Sequence, residues 1–246
     1  MRRLPLAAVA ALALALAPAA AQACSPGPGY RVPTNLELAG HAETIVLARV
    51  VGASEGALTI RPLAAIKGEL PEGDIALTGM GLAEGERAAR SDPLEFERAH
   101  PDAYAGACIR TAFPLGTTAL FFLRVGHEGM WAPAGTAFSR WAEDVADEQA
   151  PWVQLARLYT VAAALPEEDR VPFLQDEREA LLARAGQPDG TGALARLMAE
   201  DIARQIAGPA APPRDPFEEA FRRPGEESAV EASLRAMRQG AEEAGD

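Results

Sequence analysis

The feature that most restricts the fold is a change of periodicity near residue 140. Before it, short apolar runs rich in β-branched and aromatic residues are separated by Gly and Pro. After it, apolar residues return at the spacing of one helix face. Short runs bounded by turn residues are strands, whereas a 3.6-residue period requires helix. An α+β chain whose two kinds of element occupy separate stretches follows.

In the first stretch, Thr44–Val51 is the leading strand, and Gly52-Ala53-Ser54-Glu55-Gly56 is the turn into a return strand that begins at Leu58–Ile60. Pro62 weakens the centre of that second strand or places it at an edge, because proline cannot donate to a ladder. Lys67-Gly68 and Pro71-Glu72-Gly73-Asp74 are turns around the strand Ile75–Thr78. Gly81–Gly106 reads as a long polar loop with a short helix near Pro93–Ala99. Cys108–Phe113 and Thr117–Val125 are two more strands joined at Pro114-Leu115-Gly116, and Met130–Ala132 is a last short one. About five or six such strands make a small barrel or sandwich. Ahead of them, Thr34 is placed to N-cap a short helix over Asn35–Ala39.

Three helices are expected beyond Ala142. Pro151 suits a first helical turn, with Trp152, Leu155 and Tyr159 on one face. Phe173, Leu174, Ala180, Leu181 and Leu182 mark a second helix that Gly186 ends. A third opens at Thr191, carries Leu194, Leu197, Met198, Ile202 and Ile206 as a stripe, and stops at Gly208-Pro209. These stripes are packing faces rather than cofactor boxes. Pro212, Pro213, Pro216 and Pro224 then interrupt an acidic tail, expected to be partly disordered, with short helices near Phe217–Phe221 and Ala229–Arg238. The expected organisation is 1–23 leader, 24–140 β-rich domain, 141–208 helical segment and 209–246 tail.

The leader sets the compartment. Arg2 and Arg3 precede an apolar run over Leu6–Leu16, and Ala21-Gln22-Ala23 places small residues at −3 and −1 of a signal-peptidase site. Pro18 interrupts a run that is already shorter than the ~20 residues a membrane span needs. No later run is long enough, so no transmembrane segment is expected in the mature chain. Export to the periplasm or the medium follows. Without Arg2 and Arg3 the formal charge of −12 becomes −14. Such a chain is repelled by nucleic acid and anionic lipid alike.

Cut there, the mature chain begins at Cys24, and Cys108 is the only other thiol. In an oxidising compartment the two pair, which the loop-entropy model values at roughly 4–5 kcal/mol. A Cys at +1 is also where a bacterial lipoprotein is acylated, although Ala21 and Gln22 fit that route poorly. Acylation of Cys24 would leave Cys108 free.

Several stretches resemble catalytic motifs without completing them. Gly52 to Gly56 matches G-x-S-x-G, but a nucleophile at Ser54 needs a helix after it, and Leu58-Thr59-Ile60 has β character. His127-Glu128 would open H-E-x-x-H, yet Trp131 stands in the second His position. His41, His100 and His127 have no ligand spacing, and the ordinary role for each is a solvated or hydrogen-bonded surface histidine. Gly79-Met80-Gly81 lacks the third glycine of a dinucleotide loop, because position 84 is Glu. The acidic runs at 143–148 and 167–169 read as helix-starting charge on a solvated face. No cofactor or metal is called for, and no catalytic residue is assigned; a small periplasmic hydrolase using Ser54 is the enzyme alternative.

Cys24 at the mature N-terminus, Thr44–Val51, the Lys67-Gly68 pair, Cys108, and Leu115-Gly116 leading into Ala119-Leu120-Phe121-Phe122-Leu123 follow one another in an order that resembles the netrin-type modules and tissue inhibitors of metalloproteinases. The resemblance covers roughly residues 24–135. It implies an OB-like barrel tied at its N-terminus by a Cys24–Cys108 disulfide. It also implies that the α-amine and carbonyl of Cys24, with Ser25 beside it, form a zinc-chelating edge. Here the family's Cys-x-Cys opening is Cys24-Ser25-Pro26, and its further disulfides are missing. The expectation is therefore a secreted, non-enzymatic protein that binds a protein or other envelope ligand through the barrel face and the Gly81–Gly106 loop. A lipid-anchored envelope component is the reading that turns on Cys24 alone.

Overall fold

The computed structural model describes residues 29–83, 89–126, 129–186 and 191–209. The leader, Cys24, Ser25, His127 and the acidic tail lie outside them. Val32–Pro209 belong to one compact unit. Among the described residues the strands are β1 (Thr44–Ser54), β2 (Ala57–Lys67), β3 (Ile75–Thr78), β4 (Gly81–Leu82), β5 (Ala112–Phe113), β6 (Thr118–Val125), β7 (Trp131–Pro133) and β8 (Ala142–Asp144). The helices are α1 (Asn35–His41), α2 (Pro151–Ala164), α3 (Glu167–Arg184) and α4 (Thr191–Ala207). The fold is mixed α+β. Its main sheet runs β3-β2-β1-β6-β7 with every neighbouring pair antiparallel, and β8 also pairs with β6.

β1 and β6 are apolar almost without interruption because both of their faces are covered. Ile45, Leu47, Leu120 and Phe122 point to one side, where they meet Leu38 of α1, Trp152 and Tyr159 of α2, Leu174 of α3 and Met198 of α4. Val46, Ala48, Val50, Ala119, Phe121 and Leu123 point to the other, into a second core. There Trp141 is fully buried, with Phe113 and Phe121 at centroid distances of 5.8 and 6.0 Å. Alternate residues of one strand thus serve two cores, as the two-residue period of a strand requires.

Local chemistry sets the boundaries. Thr34 caps α1 through a capping box: Glu37 N–H donates to Thr34 Oγ1 at 3.2 Å, and Thr34 N–H to Glu37 Oε2 at 2.9 Å. Glu55 at φ 53° and Gly56 at φ 78° make a two-residue hairpin turn between β1 and β2, both in the left-handed region that a type I′ turn demands. β2 continues through Pro62, and β3 covers only its Ala57–Ile60 part, so the proline stands where the strand is an edge. At the end of β2, Lys67 Nζ donates to the Ala39 and Gly40 carbonyls at 2.7 and 3.1 Å, satisfying the C-terminus of α1.

Several expected elements are different. The turn read over Gly52–Gly56 shrinks to Glu55-Gly56, because β1 stays paired with β2 through Ser54. No helix forms near Pro93–Ala99, where side chains take the backbone donors instead. Leu94 N–H donates to Asp92 Oδ1 at 2.9 Å, and Glu97 and Arg98 N–H donate to Glu95 Oε1 at 2.7 and 3.1 Å. Phe96 is buried and gives its carbonyl to Asn35 Nδ2 at 2.7 Å. The helical turn comes later, as a 3-10 turn at Pro101–Tyr104. The strand expected over Cys108–Phe113 is reduced to Ala112–Phe113, because Cys108 at φ 61° cannot enter a ladder. β8 lies just past residue 140, so sheet pairing continues into the stretch read as helical.

Candidate functional site

Two buried polar clusters stand out among the described residues, and the second lies beside a cleft. The first is inside the helical layer. Asp201 of α4 accepts from Tyr159 Oη of α2, and from Asn35 Nδ2 of α1, Arg204 NH2 and Gln205 Nε2 at 3.3, 3.0 and 3.3 Å. Gln205 Oε1 in turn accepts Leu36 N–H at 3.0 Å. Burial pushes the Asp201 carboxyl above the ordinary carboxylate range, against the hydrogen bonds and the Arg204 charge that favour its anion. Burial and Asp201 together hold the Tyr159 phenol well above its usual value. This cluster joins three helices.

The second cluster fixes the chain at 89–111 onto β8. Glu143 is 2% exposed and accepts His100 N–H through Oε1 at 2.9 Å and Ser91 Oγ–H through Oε2 at 2.6 Å. Ser91 Oγ accepts Asp144 N–H at 2.9 Å, and Ser91 N–H donates to Asp144 Oδ2 at 3.1 Å. Arg110, 1% exposed, lies with NH1 2.8 Å from Asp144 Oδ1 and its guanidinium 4.3 Å above the Phe113 ring. Arg140 donates to the Arg98 carbonyl at 2.6 Å and stacks 4.6 Å above the Trp152 ring. Both arginines hold the guanidinium over an aromatic ring, which this weakly hydrated cation tolerates.

This arrangement corrects two expectations. Glu143, buried, and Asp144, half-buried, are strand residues in a charge cluster rather than helix-starting charge on a solvated face; Glu167–Asp169 have that role, in the first turn of α3. His100 is hydrogen-bonded as expected, but it is 1% exposed rather than a surface residue. Burial lowers the His100 imidazolium below its ordinary range, and Arg110 adds to this, while Asp102, Glu143 and Asp144 oppose it. Its ring geometry fixes the tautomer. Asp102 N–H donates to Nδ1 at 3.2 Å, so Nδ1 is bare and Nε2 carries the hydrogen directed at the Ala89 carbonyl, 3.2 Å away.

Beside this cluster lies a cleft of about 780 Å³. The pinned loop (Ser91, Pro93), the β5–β6 turn (Leu115, Thr118) and the entry to α2 (Gln149, Trp152) form its walls, with Arg140 and Asp144 between them. Leu115, on the rim, is 64% exposed. Arg140 Nε and Trp152 Nε1 are buried and have no acceptor among the described residues.

The residues singled out from sequence alone do not converge here. Ser54 is exposed at the end of β1, beside the hairpin turn and followed by β2, which is not the strand–helix setting a nucleophile requires. His41 ends α1. Cys108 is buried, and its carbonyl accepts Phe138 N–H at 2.6 Å from a residue also at positive φ, 56°. Among the described residues no cysteine is free, no group of three or more His, Cys, Asp and Glu is placed to hold a metal ion, and no helix is long and apolar enough to cross a membrane. The residues that sequence reasoning missed, Ser91, Arg110, Arg140, Glu143 and Asp144, carry no local motif; their partners are up to 53 positions away. The chain matches no protein-family model, no curated protein and no solved structure.

Proposed function

We propose that the protein is an exported, non-enzymatic binding protein whose binding site is the cleft beside Ser91, Thr118 and Trp152. The observation that carries this reading is the construction of the cleft. Its loop wall is fixed by buried charges, and its lining mixes apolar surface at Pro93, Leu115 and Trp152 with polar and charged side chains that include Ser91, Thr118, Arg140 and Asp144. Concave sites that combine apolar surface with fixed polar groups can hold and orient a small ligand or a peptide segment. Residues 90–93 belong to the loop from which recognition was expected on sequence grounds.

The barrel reading is part of the proposal. The outer strands β3 and β7 approach within 8 Å between Cα atoms, and three register shifts in the β1–β2 ladder add the twist that a closing sheet needs. The Cys24–Cys108 disulfide and the resemblance to netrin-type modules and metalloproteinase inhibitors belong to the same reading, with the α-amine of Cys24 as the zinc-directed group.

Two experiments test it. Intact mass of protein from its native host, before and after reduction, is expected to show a chain that starts at Cys24 and is lighter by two hydrogens than the dithiol. A diacylglycerol adduct on Cys24 would instead make it an anchored envelope component. A screen of fragments and short peptides by amide and indole NMR shifts is expected to move Ser91, Thr118 and the Trp152 indole together. Binders that cluster elsewhere, or turnover abolished by Ser54→Ala, would overturn the cleft and the non-enzymatic assignment respectively.

A further inference from the structure

We propose that His100 is an acid-sensitive latch: protonation at Nδ1 exchanges its backbone partners for the carboxylates of Asp102 and Asp144 and loosens the loop wall of the cleft. The structural basis is a ring with two sets of partners. In the neutral ring Nδ1 accepts Asp102 N–H at 3.2 Å, which caps the 3-10 turn at Pro101–Tyr104, and Nε2–H donates to the Ala89 carbonyl at 3.2 Å. A second set stands slightly further out. Asp102 Oδ2 is 3.5 Å from Nδ1, and Asp144 Oδ2 is 3.9 Å from Nε2.

A proton taken up from solvent at Nδ1 turns an acceptor into a donor. Donor then faces donor at Asp102 N–H, and the cap is lost. Both ring nitrogens of the imidazolium need acceptors, and the nearest anionic ones are those two carboxylates. The charged surroundings are otherwise balanced against a large response. Arg110 faces the ring from the chain leading into β5 and opposes the proton, while Glu143 and Asp144 face it from β8 and favour it, with Arg140 placed against Glu143. Burial keeps the ring neutral near pH 7, so the exchange belongs to mild acid.

The consequence reaches the cleft through two residues. Asp144 lines the cleft and holds Ser91 N–H, so drawing its Oδ2 toward His100 competes with the bond that fixes Ser91. The Ala89 carbonyl, which accepts Nε2–H, stands one residue before the cleft-lining Arg90, so a turn of the ring toward Asp144 is transmitted there as well. That this alters binding rests on the cleft being the binding site; the partner exchange itself does not.

The test is a side-chain and backbone NMR titration of the full mature chain between pH 7.5 and 4.5. His100 is expected to begin as the Nε2–H tautomer and to protonate below pH ~6.5. The Asp102 amide, the Ser91 amide and the Trp152 indole should move with the same midpoint. Asp102→Asn keeps the backbone cap and removes one waiting carboxylate. Asp102 is partly exposed, so the variant should fold, and its His100 midpoint should fall by roughly one unit. An Nδ1–H tautomer at pH 7.5, protonation that leaves the Asp102 and Ser91 amides unmoved, or an unchanged midpoint in Asp102→Asn would each overturn the latch. The fragment screen reports on the cleft independently: an empty cleft with an intact His100 titration removes the binding reading, not the latch.

Discussion

The two buried polar clusters solve the same problem in opposite ways. Around Asp201 the donors arrive from the helices α1, α2 and α4, and the irregular chain touches the cluster only at its edge, through Phe96 O and Glu97. Around Glu143 and Asp144 the donors come from an irregular chain, and the charges hold that chain in place. The first cluster joins helices that already share an apolar core, with Arg204 at its half-exposed edge. The second stands at the edge of a cleft and leaves Arg110 NH2 and Arg140 Nε without hydrogen-bond acceptors among the described residues. Buried polar groups concentrate order where apolar packing does not supply it, and they are costly when incompletely paired. The incompletely paired cluster is therefore the one expected to take part in function.

The largest effect should come from breaking the second cluster at its centre. Arg110→Ala removes the cation beside Asp144 and the face packed on Phe113, and it should cost about 3–5 kcal/mol in urea unfolding. An effect below about 1 kcal/mol would mean that the loop is held by other contacts. Asp201→Ala leaves Tyr159, Asn35 and Gln205 short of an acceptor inside the helical layer and should cost roughly 2–3 kcal/mol. Its thermal unfolding should stay cooperative, with the Trp152 indole shift unchanged below the transition.

The pH dependence separates the clusters by sign. His100 has a folded-state midpoint below its unfolded value, so the unfolded chain binds more protons in between. Stability contributed there is complete above pH ~6.5 and is lost as pH falls toward the folded midpoint, at up to about 1.4 kcal/mol per unit. Asp201 has a folded midpoint above its unfolded one, so its ionisation weakens the fold as pH rises through that window, and acid restores what was lost. The stability difference between the wild type and His100→Gln should accordingly shrink between pH 7.5 and 5.5, while that between the wild type and Asp201→Asn should shift the opposite way at lower pH. Matching slopes for the two variants would contradict the assignment. The smallest expected effect is that of Ser91→Ala, about 1 kcal/mol, because Ser91 Oγ makes two hydrogen bonds at the half-buried edge of the second cluster.

The same contrast explains what could be read from sequence. Thr34 as an N-cap, the hairpin between β1 and β2, the apolar strands β1 and β6, and the buried face of α2 are local signals that the structure bears out, although the turn expected over Gly52–Gly56 is only Glu55-Gly56. The Asp201 cluster was hidden inside a stripe that was legible: α4 was expected, but not that one of its buried positions would be an acid. The second cluster was less legible still. Glu143 and Asp144 precede a helix in an acidic run, which is the pattern of an exposed helix start, and only pairing with β6 turns them inward. Nothing near Ser91 or His100 in sequence announces partners 52 and 43 residues away. The missed helix near Pro93–Ala99 has the same origin, since Phe96 is drawn into the core and its carbonyl is taken by Asn35.

The difference between the two clusters is tested most directly by native-state hydrogen exchange at single amides. Leu36 N–H is held by Gln205 in the helical layer, and Ser91 and His100 N–H are held by Asp144 and Glu143 beside the cleft. At pH 7 the Leu36 amide should exchange only through global unfolding, whereas the Ser91 and His100 amides should exchange through a smaller opening of the loop. After correction for intrinsic rates, lowering the pH to 5.5 should reduce the protection of Ser91 and His100 further than that of Leu36. Equal protection at all three sites, falling together with pH, would show that the two clusters open as one and contradict the division between a structural and a functional end.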